Sequence, residues 1–307
     1  MEAILSTELI HQIFDHIDSR FKLLIHREGS TDEERRATLS IDLILKSEMF
    51  DYFKHVLFKT HDKYSYMYHL CDTAARGGYL KALQWAHSNE FRWHAETCTA
   101  AAANGHLLCL KFAKENGCEW NSRTTKLAAA NGHLPCLKWS QENGCEWNEY
   151  LTWTASTHGH LPCLKWAREN GCKWNADTCH TAAAYGHLPC LKWARENGCE
   201  WSSKTCTLAA AHGHLPCLKW ARENGCEWTD ETIQAAARGG HLDCLMWARQ
   251  HGCEWSASTC RTAAAFGHLE CLIWARANGS EFNRVDCRND AETFGRQYIL
   301  QWLNKGY

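Results

Sequence analysis

The sequence lacks the features that mark a membrane protein or a nucleic-acid-binding protein. No apolar run in its 307 residues approaches the roughly 18 residues that a membrane-spanning helix needs. The formal net charge is −2 and the isoelectric point is about 6.8, so no basic excess attracts nucleic acid or an anionic membrane surface. We therefore expect a soluble protein that binds neither.

Signals for secretion and for catalysis are also missing. The opening residues, MEAILSTELIHQIF, have no basic segment and no small-residue cleavage site. We therefore expect a reducing cytoplasmic or nuclear compartment, in which the 19 cysteines stay as thiols. The chain contains no phosphate-binding loop, no nucleophile elbow and no His-Glu-x-x-His helix. These absences predict a protein that is not an enzyme and has no cofactor.

What the sequence has instead is a repeat. The fifteen residues HLPCLKWARENGCEW begin at His187 and recur, unchanged or diverged, along most of the chain. A glycine precedes each copy, and these glycines are spaced 27 residues apart: Gly78, Gly105, Gly132, Gly159, Gly186, Gly213, Gly240 and Gly267. A fixed period of roughly 20 to 50 residues is the signature of a solenoid, in which each repeat packs on its neighbours.

Each repeat predicts a first helix that is short and rich in alanine. A side chain that caps helix N-termini follows the tryptophan at the start of the repeat. The predicted capping residues are Asn121, Asn148, Asn175, Ser202, Thr229 and Ser256. The helix then runs through alanines such as Ala182 and ends at the glycine that defines the period, here Gly186.

A second helix follows in each repeat. In the repeat of Pro189 it begins near Leu188, since proline is tolerated in a first turn, and it closes at Gly198, because glycine adopts the left-handed conformation of a helix stop. Two sets of side chains are candidates for its inward face: Leu188, Leu191 and Ala194, or Cys190 and Trp193. No alternating strand pattern occurs. The sequence therefore predicts an all-α, helix-pair solenoid of about nine repeats.

Two segments precede the array. Residues 1–26 have apolar residues at helical spacing, and residues 27–39 are polar and charged, which predicts a linker. The array then covers residues 40–307, and its first and last repeats are degenerate. Atypical end repeats are expected, because the two ends of a solenoid have apolar faces that must be covered.

The order of residues in the repeat resembles the ankyrin repeat. Ala-Ala, Gly-His-Leu, an apolar helix and Asn-Gly-Cys-Glu-Trp-Asn parallel the family's Ala-Ala, Gly-His, apolar helix and Gly-Ala-Asp-Val-Asn over about residues 67–282. The ankyrin repeat has about 33 residues, and the residues missing here fall where that family has its β-hairpin. The resemblance thus implies ankyrin-like helix pairs with little or no β-structure. Short tryptophan-rich repeats of this kind are similar to the expanded arrays of giant DNA viruses and some protists.

Positions that differ between otherwise similar repeats are candidates for binding a partner. In ankyrin-like folds the corresponding side of the first helices lines a concave groove, so the resemblance implies a protein-binding surface there. The candidate groove residues are Arg123, Lys126, Tyr150, Trp153, His180, Tyr185, Lys204, Gln234, Arg261 and Phe266. Aromatic residues and arginine are typical interface anchors. The alternative explanation is simple drift at solvated positions.

The repeated cysteines and histidines raise the question of a metal site. His187, Cys190 and Cys199 illustrate their spacing within one repeat, yet a structural zinc site needs four ligands that converge on one point. The resemblance places the two cysteines where ankyrin repeats carry valine and alanine, and a thiol packs well as a small apolar group. We predict buried cysteines and no metal.

The N-terminal segment resembles the first half of an F-box. The run LSTEL at residues 5–9 matches the Leu-Pro-x-Glu-Leu pattern with serine in place of proline, while the second half of that motif is not visible. F-boxes bind Skp1-type adaptors of cullin ubiquitin ligases. The resemblance therefore implies an adaptor contact through Leu5, Leu9, Ile13, Phe14 and Ile17. The alternative is an amphipathic helix that caps the opening repeat.

Taken together, these features predict a monomeric protein–protein interaction scaffold that binds an unknown protein target along the repeat groove. A finer hypothesis makes the chain a substrate receptor for a cullin-type ubiquitin ligase, with the N-terminal segment holding the adaptor. The alternative hypothesis is a structural repeat binder with an N-terminal cap and no ligase role.

Overall fold

The computed structural model describes residues 63–147 and 150–305, with side chains described from Leu70 onward. In these ranges the backbone forms 18 α-helices and no β-strand. The helices follow one another as nine pairs, which confirms the predicted all-α array. The chain divides into two compact parts, residues 1–124 and 125–307. The predicted N-terminal segment and linker, residues 1–39, lie outside the described residues.

Two helix pairs lie in the first part. Their helices are α1 (Lys63–Gly77), α2 (Leu80–Ser88), α3 (Ala95–Ala103) and α4 (Leu107–Glu115). The first helices of the two pairs, α1 and α3, pack on each other, and so do the second helices, α2 and α4. This arrangement is the nearest-neighbour packing expected of a solenoid. Helix α5 (Ser122–Ala130) contains the boundary between the parts.

Helix α6 and six complete pairs follow in the second part. The helices are α6 (Leu134–Glu142), α7 (Tyr150–Thr157), α8 (Leu161–Glu169), α9 (Ala176–Ala184), α10 (Leu188–Glu196), α11 (Ser203–Ala211), α12 (Leu215–Glu223), α13 (Asp230–Gly239), α14 (Leu242–Gln250), α15 (Thr259–Phe266), α16 (Leu269–Ala277), α17 (Arg284–Thr293) and α18 (Gln297–Asn304). The first helices α7, α9, α11, α13, α15 and α17 pack on one another in that order. The second helices α6, α8, α10, α12, α14 and α16 also pack each on the next.

The core of each repeat is a narrow stripe of small and medium apolar side chains. On α10 it consists of Cys190, Leu191 and Ala194, which have no exposed surface. The inward face therefore combines members of both predicted sets. Trp193 is only half-buried, so the expectation that it points inward is wrong. Trp193 instead meets Trp174 edge to face, with ring centroids 5.6 Å apart.

Glycines end the helices for two different reasons. Gly186 and Gly198 both adopt the left-handed conformation, with φ of 77° and 85°. A Cβ atom on Gly198 would meet nothing within 4 Å, whereas one on Gly186 would lie 2.5 Å from Nδ1 of His214 in the next repeat. Gly186 is therefore required for close packing as well as for its backbone conformation.

The histidine that follows this glycine joins neighbouring repeats. Nε2 of His187 lies 3.0 Å from the carbonyl oxygen of Thr157, the last residue of α7. A carbonyl only accepts, so Nε2 carries the proton and donates. The same bond joins His268 to Arg238 at 3.0 Å, and the last repeat substitutes an arginine, since Nε of Arg296 donates to the carbonyl of Ala265. Each of these side chains satisfies a carbonyl at a helix end that has no intrahelical partner.

The predicted helix caps are confirmed at some repeats and wrong at others. The Asn121 and Asn175 side chains accept from the amides two residues later, at 2.9 and 3.0 Å. Ser202 and Thr229 have extended N-cap backbones without a side-chain cap. Ser256 precedes the true N-cap by two residues, because α15 begins only at Thr259. The predicted cap Asn148 lies outside the described residues.

Candidate protein-binding surface

The predicted groove residues differ in how much of each side chain reaches solvent. Seven are exposed: Arg123, Lys126, Tyr150, Tyr185, Lys204, Arg261 and Phe266. Trp153 and Gln234 are half-buried, and His180 is only 7% exposed. The expectation that His180 is exposed is therefore wrong. Its ring lies 3.1 Å from Oγ of Ser202 and 3.3 Å from Oδ1 of Asp177, and burial is the main cause of its lowered pKa.

The position that His180 occupies on the first helix generally reaches toward the next repeat. Nε2 of Gln234 donates to Oγ of Ser258 at 2.7 Å, and Arg261 forms an ion pair with Asp290 at 2.9 Å. Helical spacing within one repeat shows which side chains share a face of the helix. It does not show that the next repeat contacts those side chains. These residues serve first as bridges between repeats.

The residues that stand just before the period-defining glycine stack on one another between successive repeats. Tyr185 stacks on His212 of the next repeat with ring centroids 6.4 Å apart, and Phe266 stacks on Phe294 at 6.3 Å. The guanidinium of Arg238 lies 5.7 Å from the Phe266 ring centre. Tyr185 remains 57% exposed and Phe266 44% exposed, so both rings present apolar area to solvent.

A cavity of about 470 Å³ opens beside α7 and the start of α9. It is lined by Tyr150, Trp153, Lys173, Trp174, Asn175 and Asp177. The rings of Tyr150 and Trp153 meet nearly at right angles, with an interplanar angle of 78° and centroids 6.5 Å apart. Lys173 and Trp174 are not among the residues predicted from the sequence. A signal was present, because Lys173 occupies a position that is glutamate in most other repeats.

Paired tryptophans recur along the array, and we name three of these pairs the tryptophan ladder: Trp174 with Trp193, Trp201 with Trp220, and Trp228 with Trp247. Trp174 and Trp193 meet edge to face with centroids 5.6 Å apart. The guanidinium of Arg168 lies 4.5 Å from the Trp174 ring centre, and Nζ of Lys165 lies 5.9 Å from that of Trp193. Because the same contacts recur from repeat to repeat, they are part of the architecture.

The cysteines lie in the interior, as predicted. All 19 are buried thiols without a disulfide bond in the described part of the chain. Burial raises the pKa of Cys190 to about 11, which keeps that thiol protonated at neutral pH. Among the residues that the structure describes, no three His, Cys, Asp or Glu side chains converge as a ligand set for a metal ion.

Comparison with known proteins finds similarity to ankyrin repeats. The family model described as "Ankyrin repeats (many copies)" matches residues 179–222. These repeats are ankyrin-like. The crystal structure of the human ASB11 ankyrin repeat domain is similar to 58% of this chain, over 96% of that domain, with 21% sequence identity and a TM-score of 0.47. No curated protein matches the sequence significantly.

Ankyrin repeats, the family matched at residues 179–222, indicate a protein–protein interaction scaffold. In the ranges that the structure covers, no helix has both the length and the apolar character to cross a bilayer. The predicted adaptor-binding residues, Leu5 to Ile17, lie outside the described residues.

Proposed function

We propose that this protein binds a protein partner through its first-helix surface, which we define by Tyr150, Trp153, Tyr185, Lys204, Gln234, Arg261 and Phe266. The observation that carries this proposal is the exposure of aromatic rings at positions that vary from repeat to repeat. Tyr150 is 56% exposed, and Tyr185 and Phe266 are similar. Exposed aromatic area beside charged side chains such as Lys204 is the composition of an interface anchor.

Site-specific photo-crosslinking tests this proposal. A benzophenone amino acid placed at Tyr185 or Lys204 in the full chain should yield a discrete protein adduct in cells, and excess unlabelled chain should compete it away. The matched control carries the same group at Lys219 on helix α12, outside the first-helix surface, and should yield no such adduct. Equal adducts from both faces, or none from the first helices, would contradict the proposal.

A finer function is supported by the sequence of the N-terminal segment. We propose that residues 1–26 hold a Skp1-type adaptor, which makes the chain a substrate receptor of a cullin-type ubiquitin ligase. The support is the LSTEL run and the apolar residues that follow it. The competing proposal is a structural binder whose N-terminal segment caps the array and has no ligase role.

One double variant separates these two proposals. Leu9→Ala with Ile13→Ala should abolish the binding of purified adaptor and leave the melting temperature unchanged if the segment is an adaptor site, because truncated anchors typically cost about thirtyfold or more in affinity. A lowered melting temperature, with no adaptor binding even by the parent chain, would instead support the cap. Isothermal titration and thermal denaturation of the same samples provide both readouts.

A further inference from the structure

One repeat departs from the others at three positions that meet at the same cavity. Tyr150 stands where the next repeats have Asp177 and Lys204, and Trp153 stands where other repeats have smaller residues such as Thr207. Lys173 replaces a glutamate that six of the other repeats carry: Glu119, Glu146, Glu200, Glu227, Glu254 and Glu281. The three departures span 24 positions of sequence, yet all line the cavity of about 470 Å³. Their convergence distinguishes this site from drift.

The aromatic residues give the cavity apolar walls. The perpendicular rings of Tyr150 and Trp153 form a corner, and Trp174 lines the same space. A corner of two rings offers a face and an edge to an inserted apolar side chain, and both contacts are favourable. The volume exceeds that of one large side chain, which fits an anchor residue together with its flanking backbone.

The charged residues decide which partner fits these walls. The ammonium group of Lys173 forms no ion pair with any described residue. Asp177 also lines the cavity, but its carboxylate already lies 3.3 Å from Nδ1 of His180 and 3.4 Å from Nδ2 of Asn175. Exposed Lys204 occupies in the next repeat the position that Asp177 has here. The two ammonium groups of Lys173 and Lys204 outnumber the one carboxylate of Asp177, so the charge left over for a partner is positive.

We propose that this cavity is the anchor pocket for an acidic peptide segment of the partner. An apolar side chain of the segment inserts between Tyr150 and Trp153, and a neighbouring carboxylate pairs with Lys173. The inference rests on the proposed partner-binding function and adds to it the chemistry of the partner at one repeat.

A phage-displayed random dodecapeptide library, selected on the full chain, tests the pocket. We expect the recovered peptides to share an aromatic or large aliphatic residue next to aspartate or glutamate. Their synthetic forms are then measured by fluorescence polarisation against Trp153→Thr and Lys173→Glu. Both changes install residues that other repeats already carry at the same position, Thr207 and Glu200 for example, so the array should fold, and thermal denaturation verifies this.

The expected losses of peptide affinity are large for changes inside the cavity and small for changes outside it. Trp153→Thr should weaken the peptides about thirtyfold, as for an interface hot spot, and Lys173→Glu about tenfold or more. Lys219→Glu is the matched control, since it makes the same change of charge on a second helix away from the cavity. Because Lys219 does not line the cavity, its change should alter the affinity less than about threefold, as for residues outside a hot spot.

The outcomes separate this inference from the broader function. Peptides that bind equally well to the parent and to both pocket variants would overturn the pocket and leave partner binding intact. Basic peptides that gain affinity from Lys173→Glu would show that the pocket takes a cation. A selection without any binders would count against both the pocket and the proposed function.

Discussion

The two faces of each repeat differ in what their side chains must do. The second helix and the tryptophan ladder keep the same contacts from repeat to repeat, such as Trp174 on Trp193 and Trp201 on Trp220. The residue types on the first-helix surface differ at nearly every repeat, and they include exposed aromatic residues such as Tyr185. Because a solenoid is held together by neighbour contacts, the residues that make identical contacts cannot vary, and variation collects where the contacts are dispensable or individual.

The largest effect should come from the constant interior. Leu191→Ala removes a side chain with no exposed surface, and the cavity that it leaves should lower the free energy of unfolding by about 3 kcal/mol or more. The control is the same chemical change at Leu108, which is 66% exposed and should cost little. Urea denaturation of both variants measures the difference. Equal losses would mean that the core assignment is wrong.

Two glycine variants sharpen the comparison within one repeat. Gly198→Ala strains only the left-handed backbone, at a cost of about 1 kcal/mol, whereas Gly186→Ala should cost about 2 kcal/mol or more because its Cβ also collides with the His214 ring. Thermal denaturation provides the ranking. A reversed order would show that the histidine moves aside easily.

Truncation of two partly exposed aromatic residues compares the tryptophan ladder with the first-helix surface directly. Trp193→Ala loses the edge-to-face contact with Trp174, so we expect a loss of about 1 to 2 kcal/mol, less than for a fully buried aromatic residue. Tyr185→Ala, on the variable face, should lower stability by about 0.5 kcal/mol or less. If chemical denaturation gives the two variants the same stability, the tryptophan ladder does not stabilise the array.

The smallest effect should be a dependence of stability on pH. Burial lowers the pKa values of His160, His214 and His241 in the folded chain. The unfolded chain then takes up protons first as the pH falls below about 6.5, so the stability present at neutral pH is lost as the pH approaches the folded-state pKa values. The melting temperature should be lower at pH 5.5 than at pH 7.5, and His214→Gln should reduce that difference. A melting temperature that rises on acidification would contradict this account.

Much of the fold is predictable from sequence because its signals are local and recur with the period. Gly186 stops one helix, Gly198 stops the next, and alanine-rich segments allow close packing, so the helix pairs follow from each repeat alone. The half-buried position of Trp193 does not follow, since it depends on how the rest of the fold packs around it, including its edge-to-face contact with Trp174. A helical pattern gives the faces of a helix but not the distance to its neighbour.

The candidate site was predicted less completely than the fold. Tyr150 and Trp153 stand out because they vary, but His180 varies and is nevertheless buried, since the next repeat places Ser202 against it. Lys173 lies on a loop, outside the helical positions that the resemblance highlights, and only the folded chain shows that it shares a cavity with the two aromatic residues.

The histidine bridge gives the array a direction. His187 completes the helix end of the repeat before its own, as His268 does further along, so each repeat depends on its C-terminal neighbour for this bond. During synthesis, a repeat that has just left the ribosome therefore lacks one partner until the next repeat follows. Duplication of any whole repeat supplies a new donor and a new acceptor together, and the chain can lengthen by 27 residues without an unmatched bridge. In the last described repeat an arginine takes the place of the histidine, and Nε of Arg296 donates to Ala265 of the repeat before it.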